Sequence, residues 1–227
     1  MKTFRIGGVR VGVSDKADGN MKVFDDAGEA EVVKNRKRFL SEMELDMKSS
    51  YFVKVAYETD DFCRFMRASE ENGLWLDRKA ERCDGLLTNN QGVGLFLPLA
   101  DCVGMLLYDA KNESMMMVHC GRQTILQDGA FKAVRYIMRE AGTEPGEVLA
   151  WLSPSAGREN YPLYDLGGIS AQEAVVEQLM KAGVELGNIR ESDIDTTVDE
   201  RYFSHSQGDK QERFAIVGVI DGLNTKE

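Results

Sequence analysis

Two apolar runs, Val103–Tyr108 and Met115–His119, are joined through Asp109-Ala110-Lys111-Asn112-Glu113, whose residues favour turns, and Ser114. The pattern predicts two neighbouring antiparallel strands in the middle of the chain. A third apolar run, Val93–Leu99, comes just before them. Met115, Met116 and Met117 read as core filling, because an unbranched thioether adapts to irregular gaps. After Gly121 the period changes from two to 3.6. Ile125, Leu126, Ala130, Val134, Ile137, Met138 and Ala141 form one stripe, which predicts a helix closed by Gly142 as its C-cap.

Elsewhere, Val9–Val13 alternates as a strand, and Ser14–Asn20 reads as a loop. From Glu29 onward Val32, Val33, Phe39, Leu40 and Met43 predict an amphipathic helix. Asp25, Asp26, Glu29 and Glu31 sit near its start, where the helix dipole favours acids. Its Lys34, Lys37 and Arg38 read as a solvated face. Tyr51–Tyr57 reads as a strand, Cys83–Gly92 as a short strand entering a turn, and Leu149–Leu152 and Phe214–Ile220 as strands. Ser153–Asp165 is a long irregular loop, and Ser170 caps a helix over Ala171–Ala182. No repeat or linker divides the chain, so residues 1–227 are read as one domain.

Composition narrows the partners. A formal charge of -10 argues against a broad footprint on nucleic acid or an anionic bilayer, which needs Lys and Arg to neutralise phosphates. The N-terminus lacks an apolar signal core, and no stretch has the roughly 20 apolar residues of a membrane helix. The expectation is a cytoplasmic protein with a small-molecule partner. The four cysteines form no CxxC pair and read as reduced thiols.

Chemistry concentrates at one place. The chain has two histidines, and Cys102 stands at the end of the apolar run Gly92–Leu99 while His119 ends the run beyond the hairpin. A thiol and an imidazole so delivered can share a metal or act as nucleophile and base, with Asp101 a candidate to orient the imidazole.

Several segments together resemble the laccase-domain family, also called YfiH-like or polyphenol oxidase proteins. Gly12-Val13-Ser14 resembles its opening strand and Val33-Lys34-Asn35-Arg36 its first helix. Asp84-Gly85-Leu86-Leu87-Thr88-Asn89 is similar to D-A-L-V-T-N. Ala100-Asp101-Cys102 matches A-D-C, and His119-Cys120-Gly121 resembles the start of H-A-G-W-R-G. Ser153-Pro154-Ser155-Ala156-Gly157 is similar to G-P-x-I-G, and Arg201-Tyr202-Phe203-Ser204 to R-F-F-S.

The resemblance implies an α+β fold, a layered α/β sandwich with mixed sheets. It implies a zinc held by two histidines and the A-D-C cysteine, with chemistry on purine nucleosides by phosphorolysis, nucleoside cleavage or adenosine deamination. Cys102 and His119 carry over as ligands. The remaining family ligand lies in Q-V-H-G, matched here by Lys54-Val55-Ala56-Tyr57, so Ala56 stands where an imidazole is expected, and a methyl group cannot bind zinc. His205 is the candidate replacement. Asn35, Arg36, Arg122, Gln123 and Ser155 are the implied substrate-binding residues, although Arg122-Gln123 replaces Trp-Arg and Asp195-Thr196 replaces Cys-Thr. Two alternatives stand beside this reading: a metal-free Cys/His hydrolase or transferase, and an inactive relative that keeps a ligand pocket. Multicopper oxidation is not expected, since it needs many imidazole ligands and two histidines cannot build a trinuclear copper cluster.

Overall fold

A computed structural model describes residues 1–22, 30–55, 57, 59–69 and 82–221. In chain order the strands are β1 (Lys2–Ile6), β2 (Val9–Val13), β3 (Ser50–Phe52), β4 (Phe65–Arg67), β5 (Gly85–Thr88), β6 (Gly94–Leu99), β7 (Val103–Asp109), β8 (Ser114–Cys120), β9 (Val148–Leu152), β10 (Ile189–Glu191) and β11 (Phe214–Ile220). The helices are α1 (Ala30–Glu42), α2 (Arg122–Leu126), α3 (Gly129–Ala141) and α4 (Ala171–Lys181). Two mixed sheets result, one ordered β1-β2-β11-β6-β3 and the other β10-β9-β7-β8-β5-β4.

The alternation of side chains explains the layering. On β7, Val103, Met105 and Leu107 pack with Val134 and Ile137 of α3 and Val175 and Leu179 of α4, while Leu106 and Tyr108 pack with Leu95, Leu97 and Ile216 of the other sheet. The outer face of that second sheet, including Phe96 and Val217, is covered by Phe39, Leu40 and Met43. β7, β8 and β11 are therefore buried on both faces, which is why they read as unbroken apolar runs. Burying each large apolar side chain of these layers is worth about 1.5–3 kcal/mol over leaving it exposed. The sheets interlock closely at Gly104, where an added Cβ would lie 2.5 Å from Ile216 Cδ1 and 2.7 Å from Leu99 Cδ1.

The β7–β8 hairpin, the buried methionines and the Ser170 helix cap match the sequence expectations. Three features differ. The strand expected over Tyr51–Tyr57 stops at Phe52, because the Lys54 carbonyl turns to accept from Cys83 N–H at 2.9 Å and the chain leaves the sheet. The single helix expected after Gly121 is two, α2 and α3, broken where Asp128 takes a left-handed backbone (φ 58°). Gln178 stabilises the break: its amide donates to the Ile125 carbonyl at 2.7 Å and accepts from Ala130 N–H at 3.0 Å. The edge strands β1, β4 and β10 were not expected; β4 and β10 have three residues each, and β1 exposes Lys2, Thr3 and Arg5. Asp25, Asp26, Glu29 and Ala56 lie outside the described residues. No helix among the described residues is long and apolar enough to cross a membrane.

Candidate functional site

Register delivers the two reactive side chains. Val103 pairs with Cys120 and Gly104 with His119, so Cys102 lies one step beyond the end of the ladder, next to the end of β8. His119 shares the parity of Met115 and Met117 and faces the opposing sheet, whereas Cys120 packs beneath the helices. Gly121 completes the arrangement. A Cβ there would lie 2.7 Å from His119 Cε1, 3.3 Å from His119 Nε2 and 3.4 Å from Cys102 Sγ. Thiol and imidazole thus border one small gap that exists because residue 121 has no side chain.

The gap opens into a cavity of about 370 Å³, whose lining also includes Asp101, Arg122, Tyr161, His205 and Arg213. Tyr57 borders it too and is 71% exposed. Burial pushes the Cys102 thiol up to about 11, reinforced by Asp101 and opposed by Arg213. Burial lowers His119 to about 4, and Arg213 lowers it further in the same direction. At neutral pH the pair is a thiol beside a neutral imidazole. Nδ1 of His119 is buried without a hydrogen-bond partner among the described residues.

Asp101 does not orient the imidazole. Its carboxylate accepts from Thr196 Oγ1 at 2.8 Å and from Ser206 N–H at 2.7 Å, and its carbonyl accepts from Ala156 N–H at 2.9 Å. It holds three loops around the cavity mouth from a left-handed backbone position (φ 77°).

The implied substrate residues separate into two groups. Arg122 lines the cavity and pairs with Asp165 of the long loop. Gln123 is exposed on α2 and outside the cavity lining. Ser155 is buried and borders a neighbouring hollow of about 240 Å³ beside Asp195, which accepts from Gly157 N–H at 2.9 Å. Asn35 and Arg36 are buried on α1 and do not line the cavity; Asn35 Nδ2 donates to the Asn20 carbonyl at 3.4 Å. Sequence reasoning missed Arg213 and did not single out Tyr161 within the long Ser153–Asp165 loop. Neither stands in a recognisable pattern, and both reach the cavity only through the folding of loops distant in the chain.

The donor set can be tested against the zinc that the resemblance implies. Cys102 and His119 are suitable donors and meet at the gap. His205 lines the same cavity, yet no group of three or more His, Cys, Asp or Glu side chains placed to hold a metal occurs among the described residues. A catalytic zinc takes three protein ligands and a water. The described residues do not complete that set.

The family described as multi-copper polyphenol oxidoreductase laccase matches residues 1–166. The chain belongs to this laccase-domain family. Among curated proteins, the laccase-domain chain is 24% identical over 163 residues to purine nucleoside phosphorylase YlmD of Bacillus subtilis, covering 72% of the chain and 58% of YlmD. It is 33% identical over 81 residues to a purine nucleoside phosphorylase of Streptomyces coelicolor, covering 36% of the chain and 33% of that protein. The matches thus span less than two thirds of these relatives. Among solved structures, YfiH of Bacillus licheniformis superposes with a TM-score of 0.84 at 20% identity, covering 94% of this chain and 93% of that one. YlmD of Geobacillus stearothermophilus gives 0.82 at 19%, covering 95% and 93%. These superpositions establish the laccase-domain fold.

Proposed function

We propose that this laccase-domain chain processes a purine nucleoside, or a molecule of that size and heterocyclic chemistry, in the cavity beside Cys102 and His119. The observation that carries the reading is the meeting of Cys102 and His119 over Gly121 at a cavity of about 370 Å³, a volume within the ordinary range for small-molecule sites. The names of the curated relatives support the substrate class.

Tyr161 and Tyr57 offer aromatic faces to a heterocycle. Arg213 offers donors for phosphate or ribose oxygens: its Nη1 is held by the Lys210 and Glu212 carbonyls, while no bond from Nε or Nη2 is formed among the described residues. His119, neutral at pH 7, can take a hydrogen bond from the substrate or accept its proton. Because the described donors stop at two, no step is assigned to zinc.

The test incubates the purified chain with adenosine, inosine and guanosine, with and without phosphate, and separates products by chromatography. Phosphate-dependent release of the base identifies phosphorolysis, release without phosphate identifies hydrolysis, and inosine from adenosine identifies deamination. His119→Ala is expected to abolish the activity. If none of the three nucleosides is altered or bound at millimolar concentration, the reading fails.

A further inference from the structure

The register that pairs Gly85 with Val118 continues one step further, since His119 N–H donates to the Asp84 carbonyl at 2.7 Å. Asp84 therefore lies against His119 one residue before β5 begins, with its own N–H turned to the Arg64 carbonyl at 2.8 Å; residues opposed across antiparallel strands bring their Cβ atoms to about 4.5–5.5 Å. Each carries an unmet need. Oδ2 of Asp84 accepts from Arg64 N–H at 3.2 Å, but Oδ1 is buried with no partner among the described residues, and so is Nδ1 of His119. Asp84 is 1% exposed and His119 5%. Two orphaned buried polar atoms on facing residues are costly apart and complementary together, one an acceptor and the other able to carry a proton.

We propose that Asp84 is the positioning residue for His119, its Oδ1 accepting a hydrogen bond from Nδ1–H after a small side-chain rotation. The bond fixes the tautomer that leaves the Nε2 lone pair free toward Cys102 and the Gly121 gap. Asp84 acts through His119 and does not itself line the cavity.

The full-length protein, labelled with ¹⁵N and kept in EDTA so that no metal on Nε2 fixes the tautomer, is examined by long-range ¹H–¹⁵N spectra at pH 7.5. Two histidines give two patterns, and His205→Gln assigns them. His119 is expected to be protonated on Nδ1 in the wild type and to shift toward the Nε2–H form in Asp84→Ala, with amide dispersion showing that the variant is folded. A purely structural Asp84 would leave the tautomer where it was. A wild-type His119 protonated on Nε2 overturns the proposal without any variant, as does an Nδ1–H form that persists in folded Asp84→Ala. If Asp84→Ala does not fold, an Nδ1-bound proton slow to exchange with solvent in the wild type supports the bond, and fast exchange refutes it. No nucleoside enters the experiment, so its outcome is independent of the activity assay.

Discussion

Cys102 Sγ and His119 Nε2 lie 3.4 Å and 3.3 Å from the one point that a Cβ on Gly121 would occupy. Gly121 has φ -80°, a conformation that alanine adopts freely, so Gly121→Ala acts by volume alone. The methyl would lie 2.7 Å from His119 Cε1 and force the ring aside. The expected cost in stability is about 1–3 kcal/mol, the range for overpacking a filled interior. Nucleoside binding, measured by calorimetry, is expected to fall at least tenfold. An unchanged affinity would show that the ligand does not use this gap.

Asp101 links Thr196, Ser206 and Ala156, so its removal should loosen loops far apart in sequence. Asp101→Ala keeps the backbone strain of a non-glycine residue at φ 77° and loses both side-chain bonds. A loss of about 2–4 kcal/mol is expected, since bonds to a charged acceptor are worth about 1.5–3 kcal/mol each. Urea midpoints measure it, and limited proteolysis should cut within residues 195–209 faster than in the wild type. A change below about 0.5 kcal/mol would mean that these loops are held elsewhere.

The elements legible in the sequence are those decided locally. The β7–β8 hairpin follows from Asp109–Glu113, and the start of α4 from Ser170 with Glu173 three residues on. Cys102 and His119 were legible because each ends or begins an apolar run. Asp128 breaks a helix that its neighbours favour because Gln178, 50 residues later, satisfies the exposed ends. The role of Asp101 was likewise hidden: the sequence puts it beside Cys102, but its partners Thr196 and Ser206 arrive from the far end of the chain. β10 has three residues and exists by parallel pairing to β9. Such distant partnerships leave no local pattern to read.

Asp109 gives a pH dependence with a definite sign. Burial opposes its ionisation, but hydrogen bonds from the Asn112 side chain and from the N–H groups of Asn112 and Lys111 outweigh it and hold the carboxyl below its ordinary value. The unfolded chain therefore binds this proton at a higher pH than the folded one. The stabilisation is present above the ordinary carboxylate pKa and is lost as pH falls through the folded value. Asp109→Asn is expected to cost about 1–3 kcal/mol at pH 7, with the gap to wild type narrowing below about pH 4. Urea melts from pH 7 to 3 measure it; a gap constant across that range would refute the assignment.

Ala56 offers a test of the metal question. Two described donors, Cys102 and His119, border the Gly121 gap, and the resemblance of Lys54-Val55-Ala56-Tyr57 to Q-V-H-G puts alanine where that motif has histidine. Losing even an outer hydrogen-bond partner of a metal ligand typically lowers affinity by about 10–100-fold, so a whole missing ligand should matter more. The wild type is expected to retain well under one equivalent of zinc after dialysis, measured by elemental analysis. Ala56→His is expected to raise zinc affinity by more than about 100-fold, and Cys102→Ala in that background to remove the gain. Stoichiometric zinc in the wild type that Cys102→Ala and His119→Ala each abolish would show that another side chain already completes the set. That result would return a metal-bound water to the cavity as a source of the nucleophile.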